Sequence, residues 1–229
     1  MNRKILFLML GLVSILFAQA PYLIVFDSTG SMDSSLPNSS QTKMEAAKIA
    51  ADNFIDRTNA EIGLVVFEDC DSGGDISSGG IQLVQDFTTD KAALKSSVDA
   101  LSPTGDTAIA NALEESKAYI ESSRGRGTII LITDGEETCG GDPVSVASAI
   151  YSENIGTVNV IGYQIGGDAE EQAKAIAAAG GGRYYPASDA DELSSALTQI
   201  SGGDLSCCPS AVLLLALPLF VVAINRRLN

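Results

Sequence analysis

The sequence predicts an α/β protein: a doubly wound, mostly parallel six-stranded sheet with one antiparallel edge strand and helices on both faces. Three observations carry this. Short apolar runs alternate along the chain with segments of helical spacing, the pattern of strands joined by crossover helices. The run at 22–26 and the Ile-Ile-Leu-Ile of 128–133 are unbroken, as strands covered on both faces are. The connection 68–80 is rich in Gly, Ser and Asp and has no helical spacing, so the strand after it returns antiparallel.

The elements follow in order. After the first strand, Met44, Ala47, Ile49, Ala51, Phe54 and Ile55 mark a helix over 42–57, with Gln41 or Thr42 as its cap. Residues 61–67 form the second strand. The third, 81–87, alternates Ile81, Leu83 and Phe87 with Gln82 and Asp86, as an edge strand does. Thr89 caps a helix over 90–101, and Asp106 or Thr107 opens another running to about residue 122. The fourth strand is 128–133. Asp142 then caps a helix to about residue 152, with Pro143 at its first position. A strand at 157–165 leads to a helix over 169–179 that three glycines, 180–182, terminate. A short strand at 183–186 and a helix from the Asp189 cap to about residue 200 complete the domain.

Composition narrows the function. The 229 residues hold one ordinary domain and short extras. Lys and Arg total 14 against 29 Asp and Glu, a net charge of −15, which argues against nucleic acid as a partner. Histidine is absent, which removes hydrolases built on an imidazole base and zinc sites built on His. Four cysteines in a chain this long are not a disulfide scaffold.

The two ends read as targeting segments. Residues 1–20 are a signal peptide: Arg3 and Lys4, a largely apolar run of thirteen over 5–17, then Ala18-Gln19-Ala20 at the cut. Pro21 disfavours cleavage there, so an uncleaved N-terminal anchor is the alternative. After the domain, 21–200, comes a linker at 201–206. Residues 207–229 are a C-terminal transmembrane anchor or a sorting tail: eighteen uncharged residues over 207–224, then Arg226 and Arg227. As a helix those eighteen residues would be roughly 27 Å long, near the hydrocarbon thickness of a bilayer. The expectation is an exported protein of the cell envelope or surface, in contact with the membrane through this segment. Without the ends, ten basic and 29 acidic residues remain, or −19.

Ligands on such sheets bind outside the carboxyl ends of the strands, where strand order reverses. Asp27-Ser28-Thr29-Gly30-Ser31 follows the first strand, and Thr133-Asp134-Gly135 closes and follows the fourth. Pro103-Thr104-Gly105-Asp106-Thr107 precedes the long helix. These segments offer carboxylates and hydroxyls without nitrogen or sulfur, a set for a hard cation: Mg2+ or Mn2+, and less tightly Ca2+. Asp106, Glu136 and Glu137 are expected to cap helices or face solvent. The acidic segment 68–75 lacks the spacing of an EF-hand and reads as a solvated loop.

The three fragments in this order resemble the von Willebrand factor type A (VWA) domain and its metal-ion-dependent adhesion site. That motif is Asp-x-Ser-x-Ser, a distant Thr and a distant Asp, here Asp27, Thr29, Ser31, Thr107 and Asp134. Thr29 departs from the usual Ser but keeps the hydroxyl. The resemblance spans nearly all of 21–200, and segments 132–143 and 181–185 are similar to bacterial exported members. It implies that Thr29, Ser31 and Thr107 meet a divalent metal directly. Asp27 and Asp134 would hold it directly or through water, and one position would stay open for an acidic side chain of a protein partner.

The function implied is binding, with no catalytic residues. The alternatives are a membrane-tethered assembly scaffold docking a chaperone or ATPase partner and, less favoured, a metal-dependent hydrolase. Thr29 stands where a phosphoaspartyl enzyme needs Asp; Ser28 interrupts the Asp-Thr-Gly of an aspartic protease, and no second copy exists. The family's sheet order also places the first strand between the second and fourth. That brings the loops of Cys70 and Cys139 to either side of Asp27 and implies a disulfide in an oxidising setting. Free thiols, or Cys70 paired with Cys207 or Cys208, are the other arrangements.

Overall fold

The computed structural model describes residues 19–37, 39–70 and 80–203. Residues 1–18 of the expected signal peptide, most of the acidic 68–80 connection, the last residues of the expected linker and the segment 207–229 lie outside the described residues. The six strands are β1 (Tyr22–Asp27), β2 (Ile62–Phe67), β3 (Ile81–Thr88), β4 (Gly127–Thr133), β5 (Gly156–Tyr163) and β6 (Gly181–Ala187). They form one sheet in the order β3-β2-β1-β4-β5-β6. Every neighbouring pair is parallel except β2 with β3, which is antiparallel at the edge. β1 and β4 are central, and every residue of both is buried, which is why their apolar runs are unbroken.

The helices are α1 (Lys43–Arg57), α2 (Lys91–Asp99), α3 (Ile109–Ser123), α4 (Pro143–Ser152), α5 (Asp168–Ala179) and α6 (Ala190–Gly203). Alternation along β1 sorts them into two layers. Tyr22, Ile24 and Phe26 pack with Phe54, Leu94 and Leu197 of α1, α2 and α6. Leu23 and Val25 pack with Leu113, Ile150 and Ile176 of α3, α4 and α5. Among the described residues no helix is long and apolar enough to cross a membrane.

Helix ends show where local signals decide and where they do not. Thr42, not Gln41, caps α1 in a reciprocal box: its hydroxyl accepts the Glu45 N–H, and Glu45 accepts the Thr42 N–H. Asp90, not Thr89, caps α2, because its carboxylate accepts the N–H groups of both Ala92 and Ala93. Asp142 caps α4 on Ser145 ahead of Pro143, as expected. α3 begins later than Asp106 or Thr107, since the Thr107 backbone is paired with Thr138 instead. α6 runs through Gly203, over the first three residues of the expected linker, with Ile200 buried and Ser201 bonded back to the Thr198 carbonyl. A short 3-10 turn, Gly30–Asp33, follows β1 and was not expected. Its Met32 is fully buried, a contribution of about 2 kcal/mol, and this anchors the loop and leaves neighbouring Ser31 exposed.

Candidate metal centre

β2 leads away from β1 on one side and β5 from β4 on the other, so chain order reverses between β1 and β4. The carboxyl ends of these two strands bring Asp27 and Asp134 together. Asp27 is fully buried. Its Oδ1 accepts the Thr29 N–H (3.0 Å) and the Thr29 hydroxyl (2.6 Å). Its Oδ2 accepts the Thr133 hydroxyl (2.6 Å) and the Asp134 N–H (3.3 Å). Burial, and then the charge of Asp134, push the Asp27 carboxyl up to about 6, against the hydrogen bonds from Thr133 and Thr29.

Ser31 Oγ donates to Asp134 Oδ1 at 2.6 Å. Thr29 Oγ1 and Ser31 Oγ stand 3.0 Å apart. Each hydroxyl has one proton, and an ionised carboxylate can only accept. With both protons given to Asp27 and Asp134, none is left between the two hydroxyl oxygens. In that arrangement both oxygens have lone pairs free for a shared cation. An octahedral ion with oxygens at magnesium's bond length sets adjacent ligands about 2.9 Å apart, close to the observed pair. The donor set therefore fits a small divalent ion.

Thr107 sits on the loop between α2 and α3, which is stitched to the ends of β1 and β2. Thr104 N–H donates to Ser28 O (2.7 Å), Ser28 Oγ to Ser102 O (3.0 Å), and Asp106 N–H to Glu68 O (3.1 Å). Gly105 has φ +69°, and a Cβ there would collide with the Glu68 carbonyl, so glycine is required. The Thr107 hydroxyl lies against Gly135, whose Cβ position is 3.5 Å from it. Among the described residues that hydroxyl has no hydrogen bond. Asp27, Thr29, Ser31 and Asp134 thus form one hydrogen-bonded group, and Thr107 stands beside it with its hydroxyl uncommitted.

The sequence profile of the von Willebrand factor type A domain matches residues 23–199. The chain belongs to this family. It is similar to the uncharacterized protein YwmC of Bacillus subtilis (strain 168), 33% identical over 192 residues, 80% of this chain and 84% of that one. In fold, the VWA domain resembles that of the type V pili tip protein Mfa5 from Porphyromonas gingivalis: TM-score 0.64, 14% identity, 80% of this chain and 94% of that one. It also resembles proximal thread matrix protein 1 of the mussel byssus, whose metal-ion-dependent adhesion site holds zinc: TM-score 0.63, 22% identity, 80% of this chain. This chain spans 45% of that one.

Three further residues bear on the site of this VWA domain. Thr133, inside the quoted motif but without an assigned role, holds the second oxygen of Asp27. Glu137 does more than expected. Its carboxylate accepts the N–H groups of Ala110 (2.8 Å), Cys139 (2.7 Å) and Gly141 (3.5 Å). Ala108 cannot cap α3, so Glu137 supplies the missing acceptor from the loop after β4 and ties that loop to the Thr107 segment. Asp106 and Glu136 face solvent. Lys43 Nζ lies 2.7 Å from Asp134 Oδ2. Its sequence signal is a cation in the first turn of a helix, where the macrodipole favours acids.

Cys70 and Cys139 form a disulfide with Cα atoms 5.2 Å apart. It joins the loops that follow β2 and β4, the two strands flanking β1, as the family's strand order implied. Neither cysteine is therefore left for Cys207 or Cys208. Asp69 and Asp106 lie near the Cys70 sulfur. That sulfur is committed to the bridge and is not a thiolate ligand.

Proposed function

We propose that this VWA domain is an exported binding module of the cell envelope that captures a protein partner through a divalent cation. The observation that supports it most is the Thr29–Ser31 hydroxyl pair, 3.0 Å apart, with each oxygen also 2.6 Å from a carboxylate oxygen. Thr29, Ser31 and Thr107 would hold the ion by their hydroxyl oxygens. Asp27 and Asp134 fix two of those hydroxyls and balance the charge. The short spacing suits Mg2+ or Mn2+ better than Ca2+, which sets its oxygens wider. Once bound, the ion supplies an open coordination position for an acidic side chain of the partner.

Export is favoured by the signal-like segment 1–20 and by a disulfide of the kind that persists in oxidising compartments. A role at the cell surface is in keeping with the pilus tip protein of like fold. Residues 207–229 would tether the chain to the membrane or direct its sorting. Binding rather than turnover is the reading, because the chain has no histidine to act as a base.

Calorimetry of the full chain with Mg2+ and Mn2+ tests this. The wild-type protein should bind one ion near neutral pH, and Asp27→Ala and Asp134→Ala should each abolish binding. Unchanged binding in both variants would refute the site. Capture of envelope proteins that persists in chelator would remove the metal from the mechanism.

A further inference from the structure

We propose that Lys43 is a tethered counter-cation of the metal site: it neutralises Asp134 when no metal is bound and opposes the entry of a divalent ion. This rests on the metal-site reading above. Lys43 is the first residue of α1, and its Nζ lies 2.7 Å from Asp134 Oδ2. Its side chain is only 14% exposed, and that of Asp134 is fully buried. The position is built. The Lys43 N–H donates to Ser34 O (2.9 Å), and Ser35 and Thr42 form a β-bridge. Lys43 is therefore fastened to the same loop that carries Thr29 and Ser31. Met44, the next residue, is buried in the core and fixes the first turn of the helix.

The two carboxylates differ in how exchangeable their partners are. Asp27 accepts four hydrogen bonds from Thr29, Thr133 and Asp134, all from the segments that form the site. Asp134 accepts from Ser31 on one oxygen and from the Lys43 ammonium on the other. A flexible four-carbon stem can withdraw; a strand end cannot. Without metal, the site holds two carboxylates and one ammonium and keeps a single net negative charge. A dication entering it meets a like charge already in place. Lys43 thereby lowers the metal affinity of the site while stabilising its metal-free form. A helix start disfavours a cation, so the placement is explained by Asp134 and not by helix formation.

Titration of the full chain with Mn2+, and thermal melting in chelator, test the proposal in wild type, Lys43→Met, Lys43→Gln and Lys43→Arg. Both neutral variants should bind Mn2+ at least tenfold more tightly than wild type. Both should melt several degrees lower in chelator, and Lys43→Arg, which keeps the charge, should match wild type in both measurements. Equal or weaker Mn2+ binding in the neutral variants overturns the role of Lys43 and leaves the metal site standing. No Mn2+ binding by wild type or any variant overturns the metal-site reading, and this inference with it.

Discussion

Ser31 donates to Asp134 at 2.6 Å, closing 103 residues of sequence with one hydrogen bond. Ser31 is exposed, and the buried Met32 beside it holds the loop. The serine can thus be changed with little effect on folding. Ser31→Ala should lower Mg2+ affinity at least tenfold while stability changes by about 1 kcal/mol or less. Calorimetry and denaturant titration on the same preparation check both halves. A loss of several kcal/mol would mean that Ser31 is structural.

Thr29 is different because it is buried and bonded to Asp27 through both backbone and side chain. Thr29→Ser restores the residue usual in the family and should leave metal binding within a few-fold of wild type. Thr29→Val keeps the shape but leaves Asp27 Oδ1 one donor short. It should abolish metal binding and cost about 1–3 kcal/mol. If the valine variant binds Mg2+ normally, the hydroxyl is not a ligand.

Asp27 gives a pH dependence of unusual sign for a carboxylate. Its folded-state value, about 6, lies above the ordinary 3.8, so the metal-free folded protein holds the proton more tightly than the unfolded chain. The stability this contributes is full below about pH 4 and is lost as pH rises through about 6, on the order of 2–3 kcal/mol in all. Asp27→Asn should remove that dependence. The amide nitrogen of the variant cannot accept, so it also loses hydrogen bonds at every pH. What the raised value predicts is that, in chelator, wild type gains stability relative to the variant as pH falls from about 7 to about 4. Melting curves of both proteins across this range decide it, and a difference between them that stays constant from about pH 7 to about pH 4 would contradict the sign.

Glu137 links two loops through three backbone N–H groups. Glu137→Gln keeps one acceptor oxygen and should cost about 1 kcal/mol, and Glu137→Ala about 2 kcal/mol. Both should also weaken metal binding several-fold by loosening the segment that carries Thr107. Stability loss without any change in Mg2+ affinity would confine Glu137 to capping.

The Cys70–Cys139 bridge closes a sequence separation of 69 residues. Chain entropy makes it worth about 4 kcal/mol, as an upper figure. Paired Cys70→Ser and Cys139→Ser substitution should lower the melting temperature markedly, and reductant should do the same to wild type. Peptide mapping of the purified protein without reductant should recover the two cysteines linked. Alkylatable thiols at both positions would refute the bridge.

The strands and the motif are legible in the residues alone. Unbroken apolar runs read as strands covered on both faces, and β1 and β4 are so covered. The 68–80 connection, with no helical spacing in its sequence, favoured an antiparallel β3. The resemblance then named the five candidate ligands and the cysteine pair. These features are legible because each is written in contiguous residues or in a motif of known order. Helix starts were legible to within a residue or two. Thr89 and Asp90 are both capable caps, and only the geometry of the turn chose the carboxylate. Tertiary structure alone decided that Thr107 lies outside α3, because Thr138, 31 residues away, takes its backbone. It alone put Glu137 at the start of α3 and Lys43 on Asp134. Contacts of that kind depend on how loops from separate strands close over one sheet end. No spacing along the chain records the reach of a side chain across such a gap.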